Sequence, residues 1–187
     1  LKNNMTKKEI RTKVKELYKT HKSDGDWKKI YSLEQYKNSP LIMAYIPSDG
    51  EADCIPLIKK AMGENKTVCL PKVISGTSFM DFYILNNSVP LEEQLKEGAF
   101  GILEPVSTLP LFDVEKNTEK LFMVVPGVAF TAGGKRCGHG KGFYDIYIEK
   151  LRNTGSEIFL CGFCNSFQIF EDIPCEAFDV LMNRVIF

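Results

Sequence analysis

At 187 residues, with 44% hydrophobic and 26% charged side chains, the chain is about one domain long and can enclose one well-buried core. Basic and acidic side chains balance at 24 each, which argues against recruitment of nucleic acid or an anionic membrane by a global field and leaves any anionic ligand to locally clustered charge. No apolar run approaches the ~18 to 20 residues of a bilayer span, and the lysine-rich start lacks the apolar core of a secretory signal, so a cytoplasmic location is expected.

Leu1–Asn4 read as candidate non-native residues ahead of Met5, a candidate native start. Thr6-Lys-Lys-Glu9 has capping-box spacing, and Ile10, Val14, Leu17 and Tyr18 follow at about one helical turn, which predicts an amphipathic helix over Lys7–Lys19. A turn at Lys22-Ser-Asp-Gly-Asp precedes a second helix over Trp27–Gln35. From Leu41 the texture changes. Short apolar runs alternate with helical segments, the pattern of an α/β domain with a largely parallel sheet. The expected strands are Leu41–Ile46, Thr67–Leu70 closed by Pro71-Lys72, Met80–Leu85 as an edge or hairpin element, Leu121–Val125, Ile158–Phe163 and Val180–Phe187. The expected helices are Ile55–Met62 with Pro56 in its first turn, a short one over Pro90–Glu97, and Phe143–Arg152 with Tyr147 and Leu151 on one stripe. Residues 98–105 read as a loop. With no repeat or linker, residues 1–187 form a single domain.

Six cysteines are scattered without a disulfide framework and read as reduced thiols. Cys161-Gly-Phe-Cys164 is a CxxC, but it sits in the apolar run of an expected strand, with no second pair or nearby histidine to complete a zinc site. It is read as core, with a thiol redox protein as a remote alternative.

Between the strand ending at Val125 and the helix beginning near Phe143 lie Gly127, Gly133, Gly134, Gly138, Gly140 and Gly142. Backbone amides in such a segment can approach a ligand closely, and the following helix N-terminus favours negative charge. Arg136 and Lys141 sit within it, while Lys7 and Arg11 share a face of the first helix at i, i+4, a mildly unfavourable pair that an anion would relieve. Alternatively, that face is simply solvated. Lys141 is followed by Gly142 rather than a hydroxyl residue, so this is not the P-loop pattern, and the glycines fit a dinucleotide fingerprint poorly. The residues alone point to a phosphate binder, in all expectation of a nucleotide. Asp145, in the first turn of the helix, either interacts only with its dipole or holds Mg²⁺ beside a triphosphate. Asp179 is a candidate second contributor.

The stretch Pro126-Gly-Val-Ala-Phe-Thr-Ala-Gly-Gly-Lys-Arg-Cys-Gly-His-Gly-Lys-Gly-Phe-Tyr-Asp-Ile-Tyr147 resembles the 5-formyltetrahydrofolate cyclo-ligase signature, PGxxFD followed by GxRxGxGxGYYD. Four further pieces agree in order. Lys7-Lys-Glu-Ile-Arg11 is similar to KxxLR, Gly50-Glu-Ala-Asp53 to GExDT, residues 98–105 to GxxGIxEP, and Pro174-Cys-Glu-Ala-Phe-Asp179 to PxExHD. The departures are Thr131 for an aspartate, Cys54 for a threonine and Phe178 for a histidine.

The resemblance implies a three-layer Rossmann-like single domain and an ATP-dependent C–N ligase that turns 5-formyltetrahydrofolate into 5,10-methenyltetrahydrofolate, ADP and phosphate through an N5 iminium phosphate. No enzyme nucleophile is needed. By resemblance, ATP is held by Lys7, Lys8, Glu9, Ile10 and Arg11 with Arg136, Cys137, Gly138, His139, Gly140, Lys141, Gly142, Phe143 and Tyr144. The formylfolate is met by Ile46, Glu51, Phe100 and the residues from His139 to Phe143, and Mg²⁺ by Asp145 and Asp179. Arg136 and Lys141 stabilise the moving phosphoryl charge. His139 is read as a cationic donor at acidic pH rather than a proton-transfer group, Tyr144 as a phosphate contact or helix packing, and Phe100 as a folate stacker or loop anchor. The expected partners are small molecules only, with no nucleic acid or membrane, and the expected state is a monomer. The rivals are a nucleotide- or folate-binding protein of the same fold without turnover, and an ATP-independent isomerase-like or transferase-like α/β enzyme. Retention of Arg136, Lys141 and Asp145 disfavours the first; retention of Lys7 and Arg11 disfavours the second.

Overall fold

The computed structural model describes residues 5–98 and 101–187. Along the chain come α1 (Lys7–Leu17), α2 (Trp27–Tyr31), α3 (Glu34–Lys37), β1 (Leu41–Met43), α4 (Ile55–Gly63), β2 (Thr67–Val73), β3 (Met80–Ile84), β4 (Leu95–Glu97), β5 (Leu103–Pro105), β6 (Leu121–Val125), β7 (Ala129–Phe130), β8 (Arg136–Cys137), α5 (Phe143–Asn153), β9 (Ile158–Phe163) and β10 (Arg184–Ile186). The central sheet has the order β10-β9-β6-β1-β2-β3, parallel throughout except for the antiparallel edge strand β3.

Alternation along the strands sends side chains into two cores. Phe122 and Val124 of β6 join Ile42, Val68 and Leu70 beneath α2, α3 and α4, where Ile30, Tyr36, Leu57 and Ile58 are fully buried. Leu121, Met123 and Val125 face the other way with Leu41, Met43 and Leu160, against Tyr147, Ile148 and Leu151 of α5. The result is the expected three-layer α/β domain. A third, smaller core lies beyond the sheet, where Ile10 and Val14 of α1 pack on Val128, Ala129 and Cys137. It seats the basic first helix on the glycine-rich segment.

Most differences from the expected elements concern ends and edges. The second helix breaks into α2 and α3 around Leu33. β2 runs through Pro71 instead of stopping there, because β3 pairs with it as far as Val73. Val73 turns its N–H to Glu104 Oε1, away from β3; by alternation the Pro71 nitrogen lies on that same side, where no ladder donor is missed. The expected helix over Pro90–Glu97 is a 3-10 turn, Leu91–Gln94, followed by β4, since pairing with β5 captures Leu95–Glu97 and turns the expected loop into a hairpin. The last strand is paired only over Arg184–Ile186.

Residues 126–142, expected as an open loop, contain the antiparallel ribbon β7–β8. The CxxC reading as core stands. Both thiols are buried and free, and they belong to different cores, Cys161 beneath α4 and Cys164 beneath α5.

In this order the chain leaves β1 toward β2 on one side, while β6 adds on the other, so the switch point of the parallel sheet lies between β1 and β6. In open α/β sheets the crevice beyond the strand ends at such a point is where ligands bind. The segments that follow these two strands carry Glu51 and the glycine-rich run.

Candidate active site

A cavity of about 380 Å³ opens at that switch point. Tyr45, Ile46, Ser48 and Glu51 line it from the segment after β1, Arg136, Gly138, His139 and 141–145 from the glycine-rich segment and α5, and Pro71, Val73 and Glu104 from β2 and β5. Its size is in the range of small-molecule sites. Phe100 lies outside the described residues.

α5 begins without a side-chain cap. Its cap residue Gly142 has φ +73°, a left-handed conformation that glycine adopts at no steric cost, and the helix's first N–H groups are left for a ligand. Lys141 is exposed beside it. Arg11 reaches over from α1, its Nε donating to Gly138 O at 2.8 Å. Among the described residues neither Arg11 nor Lys141 is in a salt bridge, so both charges remain available to an anion.

The other two cations are already engaged. Lys7 Nζ sits 2.5 Å from Asp179 Oδ2. Arg136, its side chain 6% exposed, donates from Nη2 to Asp145 Oδ2 at 2.7 Å and from Nη1 to Pro126 O at 3.3 Å. Its guanidinium lies 5.7 Å from the centre of the Tyr144 ring, and its buried Nε has no hydrogen-bond partner among the described residues. Arg136 is therefore part of the floor, whereas Lys141 stands at the mouth.

Lys8 is exposed on α1; Glu9 closes the capping box with Thr6; Ile10 is fully buried, so its side chain serves the core. Cys137 is buried, with Sγ 3.8 Å from Lys7 O.

Asp145 and Asp179 flank the engaged cations. Asp145 Oδ1 accepts Val180 N–H at 3.2 Å, and Asp179 Oδ2 also accepts Glu176 N–H at 2.6 Å. Burial opposes ionisation of Asp179, but the Glu176 N–H and Lys7 outweigh it, and its pKa falls below the usual carboxylate value. Among the described residues no group of three or more His, Cys, Asp or Glu could cage a metal. Two separate carboxylates with remaining lone pairs fit Mg²⁺, which takes one or two protein oxygens and fills its shell with phosphate and water.

On the wall supplied by the segment after β1, Glu51 has a side chain 9% exposed and accepts Ser48 N–H at 2.9 Å through Oε2. Its Oε1 is 3.4 Å from Nε2 of the exposed His139, which places His139 at the rim. Burial foremost, then the Cys54 thiol and Glu51, keeps the Tyr45 hydroxyl neutral. Glu104 was not singled out in the sequence. It is 6% exposed and packs so closely on Gly98 that a Cβ there would lie 2.0 Å from Oε2. A carboxylate in the apolar run Ile102-Leu-Glu-Pro105 was the available signal.

Two departures from the family pattern are absorbed locally. Thr131 accepts Lys135 N–H at 3.1 Å in the β7–β8 turn, as an aspartate can. The Cys54 thiol donates to Tyr45 O at 2.9 Å, as a threonine hydroxyl would. Nothing in the structure explains Phe178, which is 71% exposed.

The profile of the 5-formyltetrahydrofolate cyclo-ligase family matches residues 2–187. A Schizosaccharomyces pombe protein named probable 5-formyltetrahydrofolate cyclo-ligase is 31% identical over 86% of this chain and 76% of its own length. One of the same name from Caenorhabditis elegans is 25% identical over 96% and 93%. The NMR structure of Aquifex aeolicus 5,10-methenyltetrahydrofolate synthetase superposes with a TM-score of 0.73 at 30% identity, covering 97% of this chain and 89% of that one.

Proposed function

The chain belongs to the 5-formyltetrahydrofolate cyclo-ligase family, and from that premise we propose that it converts 5-formyltetrahydrofolate and ATP into 5,10-methenyltetrahydrofolate, ADP and phosphate. The observation that carries the reading is the meeting, at one cavity, of an uncapped helix N-terminus with free cations and a buried carboxylate facing an apolar wall.

The triphosphate lies along residues 138–142 and the first N–H groups of α5, with Arg11 and Lys141 neutralising it and Lys7 and Arg136 close behind. Mg²⁺ would be held by Asp145 and Asp179, each of which is beside a cation that the phosphates also attract, and would supply charge neutralisation at the phosphate oxygens. Glu51 and Glu104 accept hydrogen bonds from ring N–H groups of the pterin, and Ile46 packs against it. The formyl oxygen attacks the γ-phosphorus and ADP leaves. N10 then attacks the formyl carbon, its proton is lost, and phosphate departs with the former formyl oxygen. The protein's share is positioning and electrostatics, with Lys141 and Arg136 facing the moving phosphoryl charge.

The same reading includes a cytoplasmic monomer with small-molecule partners only. The zero formal net charge supports one part of it, that no global field recruits nucleic acid or an anionic membrane, and among the described residues no helix is long and apolar enough to cross a membrane. The test is to mix the protein with 5-formyltetrahydrofolate and MgATP and follow the near-ultraviolet absorbance of the methenyl product together with ADP. Absence of both sinks the proposal; binding of either ligand without turnover would leave a binding protein of the same fold.

A further inference from the structure

Glu51 is held from both sides by buried side chains that are not themselves charged. The peptide before it is gripped by Asn165, whose Nδ2 donates to Gly50 O at 3.0 Å; beyond it, the Tyr45 hydroxyl donates to Ala52 O at 2.8 Å. Asn165 is 1% exposed and Tyr45 is 2% exposed. The Asn165 amide has only one orientation that suits its neighbours. Its Oδ1 accepts the Ser23 hydroxyl at 2.8 Å, Asp24 N–H at 2.9 Å and Gly25 N–H at 3.1 Å, while a carbonyl faces the nitrogen.

Asn165 is in turn tied to the other half of the site. Its backbone N–H donates to Gln168 Oε1 at 2.8 Å, and Gln168 Nε2 donates to Gly127 O at 2.8 Å and Val128 O at 3.0 Å, at the entry to the glycine-rich segment. Gly50 also rests on the ring of Tyr18, the residue that caps α1 at its C-terminus, where a Cβ would meet Cγ at 2.6 Å. One turn after β9 thus spans the loop bearing Glu51 and the segment leading to Arg136 and Lys141.

We infer that Asn165 and Tyr45 are positioning residues for folate binding, holding the Gly50–Glu51 peptide and, one residue further on, the Ala52–Asp53 peptide, so that the Glu51 carboxylate meets the pterin N–H groups. The inference rests on the reading of Glu51 as the pterin acceptor. A fixed acceptor avoids the ordering cost that a free loop would add to each binding event, and a buried amide hydrogen-bonded through both its oxygen and its nitrogen is a rigid anchor.

Asn165→Asp separates this role from a merely structural one. It keeps an acceptor for Ser23, Asp24 and Gly25 but replaces the donor to Gly50 O with an oxygen. The expected result is a rise of about tenfold in KM for 5-formyltetrahydrofolate, the scale of one lost hydrogen bond plus its repulsion, with KM for ATP within about twofold. An unchanged folate KM, or an equal rise for ATP, overturns the inference. Glu51→Ala supplies the control. If Asn165 acts through Glu51, Asn165→Asp adds little to the folate KM of Glu51→Ala, and full additivity overturns the positioning role. If Glu51→Ala alone leaves the folate KM unchanged, the assignment of Glu51 fails and the inference falls with it. Should Asn165→Asp not fold, Tyr45→Phe, which removes only the hydroxyl, carries the same expectation, and an unaltered folate KM there overturns it.

Discussion

Cations of the same charge have different surroundings here. Arg136 is packed between Asp145, Pro126 O and the Tyr144 ring, so its removal would leave a half-buried carboxylate without its ion-pair partner and cost stability as well as activity. Lys141 is exposed and in no salt bridge among the described residues, which makes it the cleaner probe of phosphate binding. Lys141→Ala is expected to lower kcat/KM for ATP roughly ten- to hundredfold, the range for a lost charge-assisted contact, without a change in thermal stability; steady-state kinetics with melting curves checks it. Both residues were legible in the sequence as basic members of one glycine-rich run. Their division into floor and mouth was not, because it depends on where Asp145 and Pro126 are brought by α5 and β6. Glu104 was overlooked for the same reason: a carboxylate in a hairpin reads as solvated until β2 is placed beside it.

At the scale of elements, the regular core was read closely and the edges were not. β6 and β9 have the expected bounds because both of their faces are buried, so an uninterrupted apolar run marks them. β4, β5, β7 and β8 are two or three residues long and exist through pairing with each other, which local propensity does not report. The Phe130 ring packs the β7–β8 ribbon onto the sheet. Phe130 fills the space left by Gly127 and Gly162, and a Cβ on Gly162 would lie 2.6 Å from it and 3.2 Å from Met182. Gly162→Ala is therefore expected to destabilise the protein by about 2 kcal/mol, the scale of core overpacking, measured as a lower urea midpoint with an unchanged m-value. An unchanged midpoint would mean that Phe130 can move aside at little cost.

At the scale of the whole molecule, burial governs the thiols. Cys54, Cys69, Cys137, Cys161 and Cys164 are buried, and Cys175 is exposed. Burial raises the pKa of Cys164 to about 12 and moves Cys54, Cys69, Cys137 and Cys161 upward as well. Since the thiolate is the reactive form and a raised pKa depletes it at any pH below that value, a thiol reagent at pH 8 is expected to modify Cys175 rapidly and the other five only through local opening. All six should react at once in denaturant. Rapid labelling of Cys161 or Cys164 in the native protein would reopen the redox reading. By itself the sequence determined the α/β class and, through ordered motifs along nearly the whole chain, the family. These are local signals of period, composition and spacing. Only the tertiary structure decided which carboxylate each cation holds, that Asn165 and Tyr45 flank the backbone of Glu51, and that Glu104 faces the same cavity. Each of those depends on contacts between residues far apart in the chain, whose meeting is set by sheet order and not by neighbours in sequence.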